Sequence, residues 1–516
     1  MTVEKEVAQM IRGRKGNRPS SLMHPSSPHP ISKAPLVNAF SLKGGSAIEL
    51  FRKGRWRERA FLLEGSPGGW FDGRFSLIGG DPFAVFRSKG KTSRFDYLEQ
   101  GRERSFSSVG DPVAHLESWF DRFLPSAVSE NSPSDIPFLH GGAVGFFSYD
   151  LVRQFEKVPP PLQEDPTLPD IYLLFLNHVL VFDHREERLH LIYTPLPEIQ
   201  MGKDPQSANR DGQKKIEKTQ RNIEASLPTG GLEPSGSPID LHPDILPQAY
   251  LRMVERAKQY IAAGDIFQAN LSHRFAALSS PDPFMIYRRL RQINPSPFSA
   301  YLNMGEIEVA SGSPERLVRL RKENGKRIVE TRPIAGTRPR GKDLIEDQKM
   351  IRQLYESEKE QAEHLMLVDL ERNDLGKICR YGSVQVDSLM ALEKYSHVLH
   401  LVSQVSGEPR PETSPLQVFK ALFPGGTITG VPKIRCMQII SELEKTARGI
   451  YTGAIGYISF SGEMDLNIAI RTWVRHHNTM AFQVGAGIVA DSDPELEYQE
   501  TLQKAAALMK ALQEPS

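Results

Sequence analysis

The side chains best placed to do chemistry in this chain are a glycine loop ending in a lysine, two pairs of glutamates and an arginine set among apolar residues. The loop and the arginine suit an anionic ligand, and the glutamates a hard cation beside it. Residues 423–433 read Phe-Pro-Gly-Gly-Thr-Ile-Thr-Gly-Val-Pro-Lys. Glycines let backbone N–H groups approach a ligand closely, Pro432 suits the first turn of a helix, and a helix N-terminus adds partial positive charge. Ile434, Met437, Ile440 and Leu443 follow at spacing three, which predicts an amphipathic helix as a support. An ordinary turn before a helix looks the same.

Beyond that helix, residues 453–460, 463–476 and 479–490 read as three strands of an antiparallel meander with turns at Ser461-Gly462 and His477-Asn478. By the period of two, Leu466, Ile468, Ile470 and Thr472 share one face of the middle strand and Asn467, Ala469, Arg471 and Trp473 the other. Arg471 therefore needs a carboxylate, either in the protein or on a ligand. Tyr451 before the meander and Gly485-Ala486-Gly487 at its end are placed to frame a small acid.

Glu360 and Glu363 lie three apart in a stretch of helical composition over 346–370, just before His364. Glu497 and Glu500 repeat the spacing on a second helix, for which Asp493-Pro494 supplies N-cap and first turn. Its apolar stripe is Leu502, Ala505, Ala506, Met509 and Leu512, so the glutamates point away from it. In a chain with 63 acidic residues, each pair alone is equally the look of a solvated face. Brought together, they would make a hard-oxygen site suited to Mg²⁺.

Longer blocks surround these residues. They are Gly264-Asp-Ile-Phe-Gln-Ala-Asn-Leu-Ser-His-Arg-Phe275, Ser313-Pro-Glu-Arg316, Arg332-Pro-Ile-Ala-Gly-Thr337, Ala362-Glu-His-Leu-Met-Leu-Val-Asp-Leu-Glu-Arg-Asn-Asp-Leu375, His397-Val-Leu-His-Leu-Val-Ser403 and Asp465-Leu-Asn-Ile-Ala-Ile-Arg-Thr472. With the glycine loop and the final glutamate-rich helix, they make the region from about Gln248 to Leu512 resemble the chorismate-utilising enzymes. That is the family of anthranilate synthase component I and aminodeoxychorismate synthase component I.

The resemblance implies roles. Glu363 and Glu500 match the direct Mg²⁺ ligands, with Glu360 and Glu497 beside them, and the ion would hold a carboxylate of chorismate. Gly336, Thr337, Thr429, Tyr451, Arg471, Gly485 and Gly487 match substrate contacts, and Lys433 would add positive potential. Glu315 matches the general acid that protonates the departing C4 hydroxyl, a role that suits a carboxyl with a raised pKa. His400 matches the histidine near the ring, in an acid or orienting role, whereas His397 reads as an ordinary core residue.

Gln268 narrows the nucleophile. Water-using members carry a lysine base there, and an amide cannot take a proton from water at neutral pH. Ammonia needs no such base, so the resemblance implies amination with ammonia from a glutamine amidotransferase. Neither Cys379 nor Cys436 sits in a glycine-flanked elbow, so that glutaminase is expected on a separate chain.

Four features resemble the aminodeoxychorismate branch: Gly425-Gly426-Thr-Ile-Thr-Gly430, Asn467, Phe146-Phe-Ser-Tyr-Asp150, and Gly65 in Leu62-Leu-Glu-Gly65. At Gly65, tryptophan-inhibited anthranilate synthases carry serine, so feedback by tryptophan is not expected. Ala335 points the other way, because some aminodeoxychorismate synthases use a lysine there to attack C2 before ammonia enters at C4. The product expected is 4-amino-4-deoxychorismate for para-aminobenzoate and folate synthesis, with anthranilate the close alternative. A non-catalytic chorismate-binding regulator is the remote one, and it has no need of a poised acid such as Glu315.

Composition fits a cytoplasmic enzyme of 516 residues with a net charge of +1, which gives no reason to expect nucleic acid or membrane as partner. Two cysteines exclude a disulfide framework. Residues 1–35, rich in Pro, Ser and Arg, read as a disordered tail, with Glu4 and Glu6 against a transit peptide. Residues 36–199 read as a β-rich structural or regulatory half, resembling the family in Gly73-Arg-Phe-Ser-Leu-Ile-Gly79 and Gly141-Gly-Ala-Val-Gly-Phe-Phe147. Residues 200–247 read as a polar linker interrupted by a short helix, and 248–512 as the chorismate-binding catalytic region. The expected fold is α+β: two large, mostly antiparallel sheets packed face to face with helices outside.

Overall fold

Most strands of this chain are apolar on both faces, so each sheet must be covered twice. In Ile171–Leu176, Ile171, Leu173 and Phe175 enter one buried cluster while Tyr172, Leu174 and Leu176 enter another. The second cluster also takes Phe61 and Leu63 from Ala60–Gly65, whose Leu62 faces away into a third. That shared cluster is the seam between two sheets. The structure is a computed structural model and describes residues 34–56, 59–99, 102–123, 136–138, 140–225, 240–278, 281–394 and 398–513.

Both sheets have twelve strands, and the pairings between named strands are antiparallel. The first runs from Leu36–Ser41 through Ala60–Gly65, Phe298–Asn303, Ile307–Ser313, Thr472–His476 and Thr479–Ile488 to Gln268–Ala277. The second runs from Ile334–Pro339 through Val398–Gly407, Arg316–Glu323, Met464–Ile468, Ala454–Ser459 and Gly142–Phe147 to Arg102–Val109. Helices cover the outer faces. Pro205–Glu224, Pro283–Ile293 and Pro494–Gln513 lie on the first sheet, and Pro112–Phe123 and Pro415–Leu422 on the second. This is the α+β sandwich expected from the sequence.

Residues before 199 and after 248 supply strands to both sheets, and Ala34–Ser516 forms one compact unit. The short helix expected in the polar linker is the 20-residue Pro205–Glu224, whose Ile216 and Ile223 pack against the first sheet. The tail over 1–35 falls almost wholly outside the described residues, as does His397. Among the described residues, no helix is long and apolar enough to cross a membrane.

One sequence expectation fails in an instructive way. The middle strand of the meander is two strands, Met464–Ile468 in the second sheet and Thr472–His476 in the first. Arg471 takes a left-handed φ of 49°, which ends the extended run, and Ala469 bonds to Gly453 and Thr452 instead of to a sheet neighbour. Alternation is identical on both sides of the break, so it cannot reveal a change of sheet. Asn467 is fully buried within the second sheet, accepting the Ile455 N–H at 3.0 Å, and does not share a strand face with Arg471.

The chain also changes sheets at Pro314-Glu315, between Ile307–Ser313 and Arg316–Glu323. Directly after this step, Arg316 is buried with both guanidinium arms on Asp465 at 2.9 and 3.0 Å, and Glu330 at 3.4 Å. Removing the cation takes both hydrogen bonds from buried Asp465, whereas Glu330 keeps Arg321 at 3.2 Å. Arg316→Met is expected to destabilise the fold by about 3–5 kcal/mol in urea denaturation, and a second change, Asp465→Leu, to recover part of it. A loss below about 1 kcal/mol would show that this pair does not anchor the crossing.

Candidate active site

The two sheet-to-sheet steps run side by side. Ser313 Oγ donates to the Ile468 carbonyl at 2.6 Å, the Ile468 N–H donates to the Glu315 carbonyl at 3.0 Å, and the Gly312 N–H donates to the Arg471 carbonyl at 3.1 Å. Ser311 and Thr472 hydroxyls close the pair at 2.8 Å. Glu315 and Arg471 thus stand on adjacent strands of chain at the one place where both leave their sheets. Arg471 is half-buried, and desolvation holds its guanidinium below the usual value. Among the described residues it has no carboxylate partner; Nη1 donates to Asn294 Oδ1 at 3.2 Å. The internal salt bridge open to Arg471 in the sequence is therefore not made, and its fork is available to an anion.

Glu315 is 5% exposed, and burial pushes its carboxyl up to about 8. The Thr427 hydroxyl and the Ile334 N–H oppose that shift, whereas a neighbouring carboxylate, Glu371, adds to it. At neutral pH this group carries its proton. His400, also buried, is pushed down to about 4 by desolvation, with the Arg471 charge adding to the shift and a hydrogen bond to the Gly336 carbonyl opposing it. It is a neutral imidazole at pH 7, which fits orienting work and not proton donation from an imidazolium.

The loop 423–433 ends in a helix as expected, Lys433–Leu443, with Pro432 as its N-cap. Thr429 is fully buried and its hydroxyl donates to the Gly425 carbonyl at 2.8 Å, folding the loop on itself. Lys433 departs from expectation. Its Nζ lies 2.5 Å from Asp374 and donates to the Leu422 and Pro424 carbonyls at 3.1 and 2.8 Å, so it braces the loop from behind. Three partners leave it no donor for a ligand.

Strand Thr479–Ile488 supplies a wall without side chains. A Cβ on Gly485 would fall 2.8 Å from Asn270 Oδ1 and 2.9 Å from the Tyr451 hydroxyl, and one on Gly487 would fall 2.8 Å from Gln268 Nε2. Gln268 and Asn270, two apart on the facing strand, each bury a side-chain oxygen with no hydrogen-bond partner. Tyr451 is buried, and burial raises its phenol, so it stays protonated. Arg448, which the sequence reading missed, ties this wall together. It pairs with Glu444 at 2.7 Å and donates to the Ile428 and Asn270 carbonyls at 2.8 and 2.7 Å.

The glutamate pairs sit on the helices expected. The stretch 346–370 holds two helices, Leu344–Glu356 and Glu358–Gly376, with the Ser357 hydroxyl capping the second on the Glu360 N–H. One Glu360 oxygen meets Arg338 at 2.7 Å; the other is buried without a hydrogen-bond partner, 3.2 Å from where a Cβ on Gly336 would stand. Gly336 has a φ of 78°, so the bulge that leaves room for this buried oxygen favours glycine. The side chain of Thr337 lies outside the described residues. Glu363 is half-buried, Glu497 accepts the Ser492 hydroxyl at 2.6 Å, and Glu500, half-exposed, pairs with Lys504 at 2.7 Å. Among the described residues, no three His, Cys, Asp or Glu side chains stand together at ligand spacing. The buried Glu360 oxygen, without a hydrogen-bond partner, is the kind of hard donor that a divalent cation takes.

Glu371 is the second residue missed. It is 4% exposed, and burial pushes its carboxyl up to about 7, with Asp374 adding to the shift and Lys433 opposing it. Its signal in the sequence is its place eleven residues after Glu360, three helical turns along the same face.

The description "chorismate binding enzyme" belongs to the family whose model matches residues 80–510. Anthranilate synthase component 1 of Acetivibrio thermocellus is 41% identical over 90% of this chain and 92% of that one. Aminodeoxychorismate synthase component 1 of Bacillus subtilis (strain 168) is 41% identical over 91% of this chain and 95% of that one. Among solved structures, anthranilate synthase component I from Streptococcus pneumoniae TIGR4 superposes with a TM-score of 0.73 at 35% identity, over 84% of this chain and 92% of that chain. The menaquinone-specific isochorismate synthase from Escherichia coli shares the fold, with a TM-score of 0.68 at 18% identity over 93% of this chain and 94% of that chain. With its fold, its acid and its arginine in these places, the chain belongs to the chorismate-binding enzymes.

Proposed function

We propose that this chain is the synthase component of an aminodeoxychorismate synthase. It replaces the C4 hydroxyl of chorismate by ammonia, giving 4-amino-4-deoxychorismate for para-aminobenzoate and folate synthesis. The observation that carries the reading is Glu315, a buried carboxyl whose pKa is pushed up to about 8, next to a segment hydrogen-bonded through its backbone to Arg471, which has no carboxylate partner among the described residues. A hydroxyl leaves as water only if it receives a proton, and Glu315 has one to give at neutral pH. Arg471 clasps a substrate carboxylate, the glycine wall at Gly485 and Gly487 admits the ring, and neutral His400 orients it. Glu363 and Glu500, with Glu360 and Glu497, would hold Mg²⁺, which would neutralise a second carboxylate.

Ammonia comes from a glutamine amidotransferase on another chain. Burial pushes the Cys379 thiol up to about 11 and the Cys436 thiol up to about 12, so neither supplies a glutaminase nucleophile. Gly65 and Gly425 support the C4 product. A Cβ on Gly65 would fall 2.1 Å from the Trp70 carbonyl, which leaves no room for the serine of a tryptophan feedback site, and one on Gly425 would strike Ile468 at 2.7 Å. Ala335, with no amine to offer at C2, favours the second reading, anthranilate synthase component I.

With ammonium chloride, Mg²⁺ and chorismate, the chain is expected to consume chorismate without producing fluorescence until an aminodeoxychorismate lyase is added. Anthranilate fluorescence without lyase would decide for the second reading. Glu315→Gln is expected to lower turnover by about 10²–10⁴. The same change should stabilise the fold at alkaline pH. A carboxyl whose folded pKa is raised contributes its full stability below the ordinary value and loses it as pH climbs toward about 8. The melting temperature of Glu315→Gln should therefore exceed that of the parent at pH 8.5 and match it near pH 4.5; an equal offset at both would contradict a buried acid at 315.

A further inference from the structure

The guanidinium of Arg471 takes its direction from one side chain. Among the described residues, Asn294 Oδ1 is its hydrogen-bond partner, 3.2 Å from Nη1, and the other N–H groups of the fork are left for a ligand. Asn294 ends helix Pro283–Ile293, its backbone N–H donating to the Leu290 carbonyl at 2.8 Å. That helix is itself pinned to strand Ala60–Gly65, with the Tyr287 hydroxyl on Glu64 at 2.5 Å and Arg291 on the same carboxylate at 3.0 Å.

The Asn294 amide is turned one way. Nδ2 donates to Ser296 Oγ at 3.0 Å and lies 3.5 Å from the Gly312 carbonyl, while the Ser296 hydroxyl gives its own proton to the Asn294 carbonyl at 3.0 Å. Ser296 Oγ can therefore only accept from the amide, which leaves Oδ1 facing the guanidinium. Gly312 completes the corner, since its N–H donates to the Arg471 carbonyl at 3.1 Å. Both ends of Arg471 are thus held against the same short stretch of chain.

A neutral acceptor suits this place. An aspartate of the same shape would meet the guanidinium in charge as well as in hydrogen bond, and a carboxylate of the substrate would then compete with it. Alanine would leave a long side chain to wander among its rotamers. We propose that Asn294 is a positioning residue for Arg471, holding one arm of its fork without neutralising it, so that the charge is kept for a carboxylate of the substrate. This rests on the reading of Arg471 as the group that clasps that carboxylate. Asn294 acts through the guanidinium.

The test is a double-mutant cycle on the full chain with Mg²⁺, reading the Kd of chorismate by calorimetry without ammonia and kcat with ammonium chloride. Asn294→Asp is expected to weaken chorismate binding by about 10–100-fold, with kcat within about threefold of the parent. Asn294→Ala should weaken it less, by about 3–10-fold. In an Arg471→Gln background, neither change should weaken binding by more than about twofold. A residue that only ends a helix gives the opposite order, the isosteric Asp being milder than Ala, with losses that persist without Arg471; either result would overturn the proposal. Ser296→Ala serves where Asn294→Asp does not fold. It frees the amide to turn its NH₂ toward the guanidinium, so binding should weaken by about threefold in the parent and not in Arg471→Gln, and unchanged binding in the parent would also overturn the proposal. Arg471→Gln binding chorismate as tightly as the parent would refute the clasp itself, whereas a loss in Arg471→Gln with none in Asn294→Asp would refute the role of Asn294 alone.

Discussion

Two segments of chain leave one sheet for the other at the same place, and they do so hydrogen-bonded to each other. Ser313 holds the Ile468 carbonyl, and Ile468 holds Glu315. Everything chemical is arranged around this double step. Within a sheet, backbone groups are paired and side chains alternate between two dry faces, where a guanidinium and a carboxylate neutralise each other, as Arg316 and Asp465 do. Where the chain steps between sheets, alternation lapses. Glu315 and Arg471 are the residues at the lapse, and a left-handed turn at Arg471 is part of its geometry. The buried Arg316–Asp465 pair locks the second sheet directly behind it.

The surrounding elements supply what a dianionic substrate would need. Gly485 and Gly487 keep one wall bare, Arg448 stitches the glycine loop to strand Gln268–Ala277, and Lys433 braces that loop from inside. Desolvation then sets the charges. It keeps Glu315 protonated, His400 neutral and both thiols unionised, each by the same cause.

Much of this was legible in the sequence. The amphipathic helix after the glycine loop, the Asp493-Pro494 helix start and the two-sheet fold follow from periodicity, capping and family blocks, because those signals are local or carried by long motifs. The break inside 463–476 was not legible, since two strands in different sheets share one alternation. Lys433 was misread for a related reason: a lysine after a glycine loop looks the same whether it meets a ligand or, as here, an aspartate 59 residues earlier. Arg448 and Glu371 escaped because their partners, the Asn270 carbonyl and the Gly426 N–H, are distant in the chain. Long-range pairing of buried charge has no local signature.

We infer that the double step brings an acid and an arginine onto one substrate. This is tested most directly by a crystal structure of the chain with a non-reactive chorismate analogue and Mn²⁺ in place of Mg²⁺, the ion located by its anomalous signal. The expected result is an analogue carboxylate on Arg471, its C4 oxygen facing Glu315, and the ion between Glu363 and Glu500. An analogue seated away from both crossing segments, or an ion bound elsewhere, would contradict it.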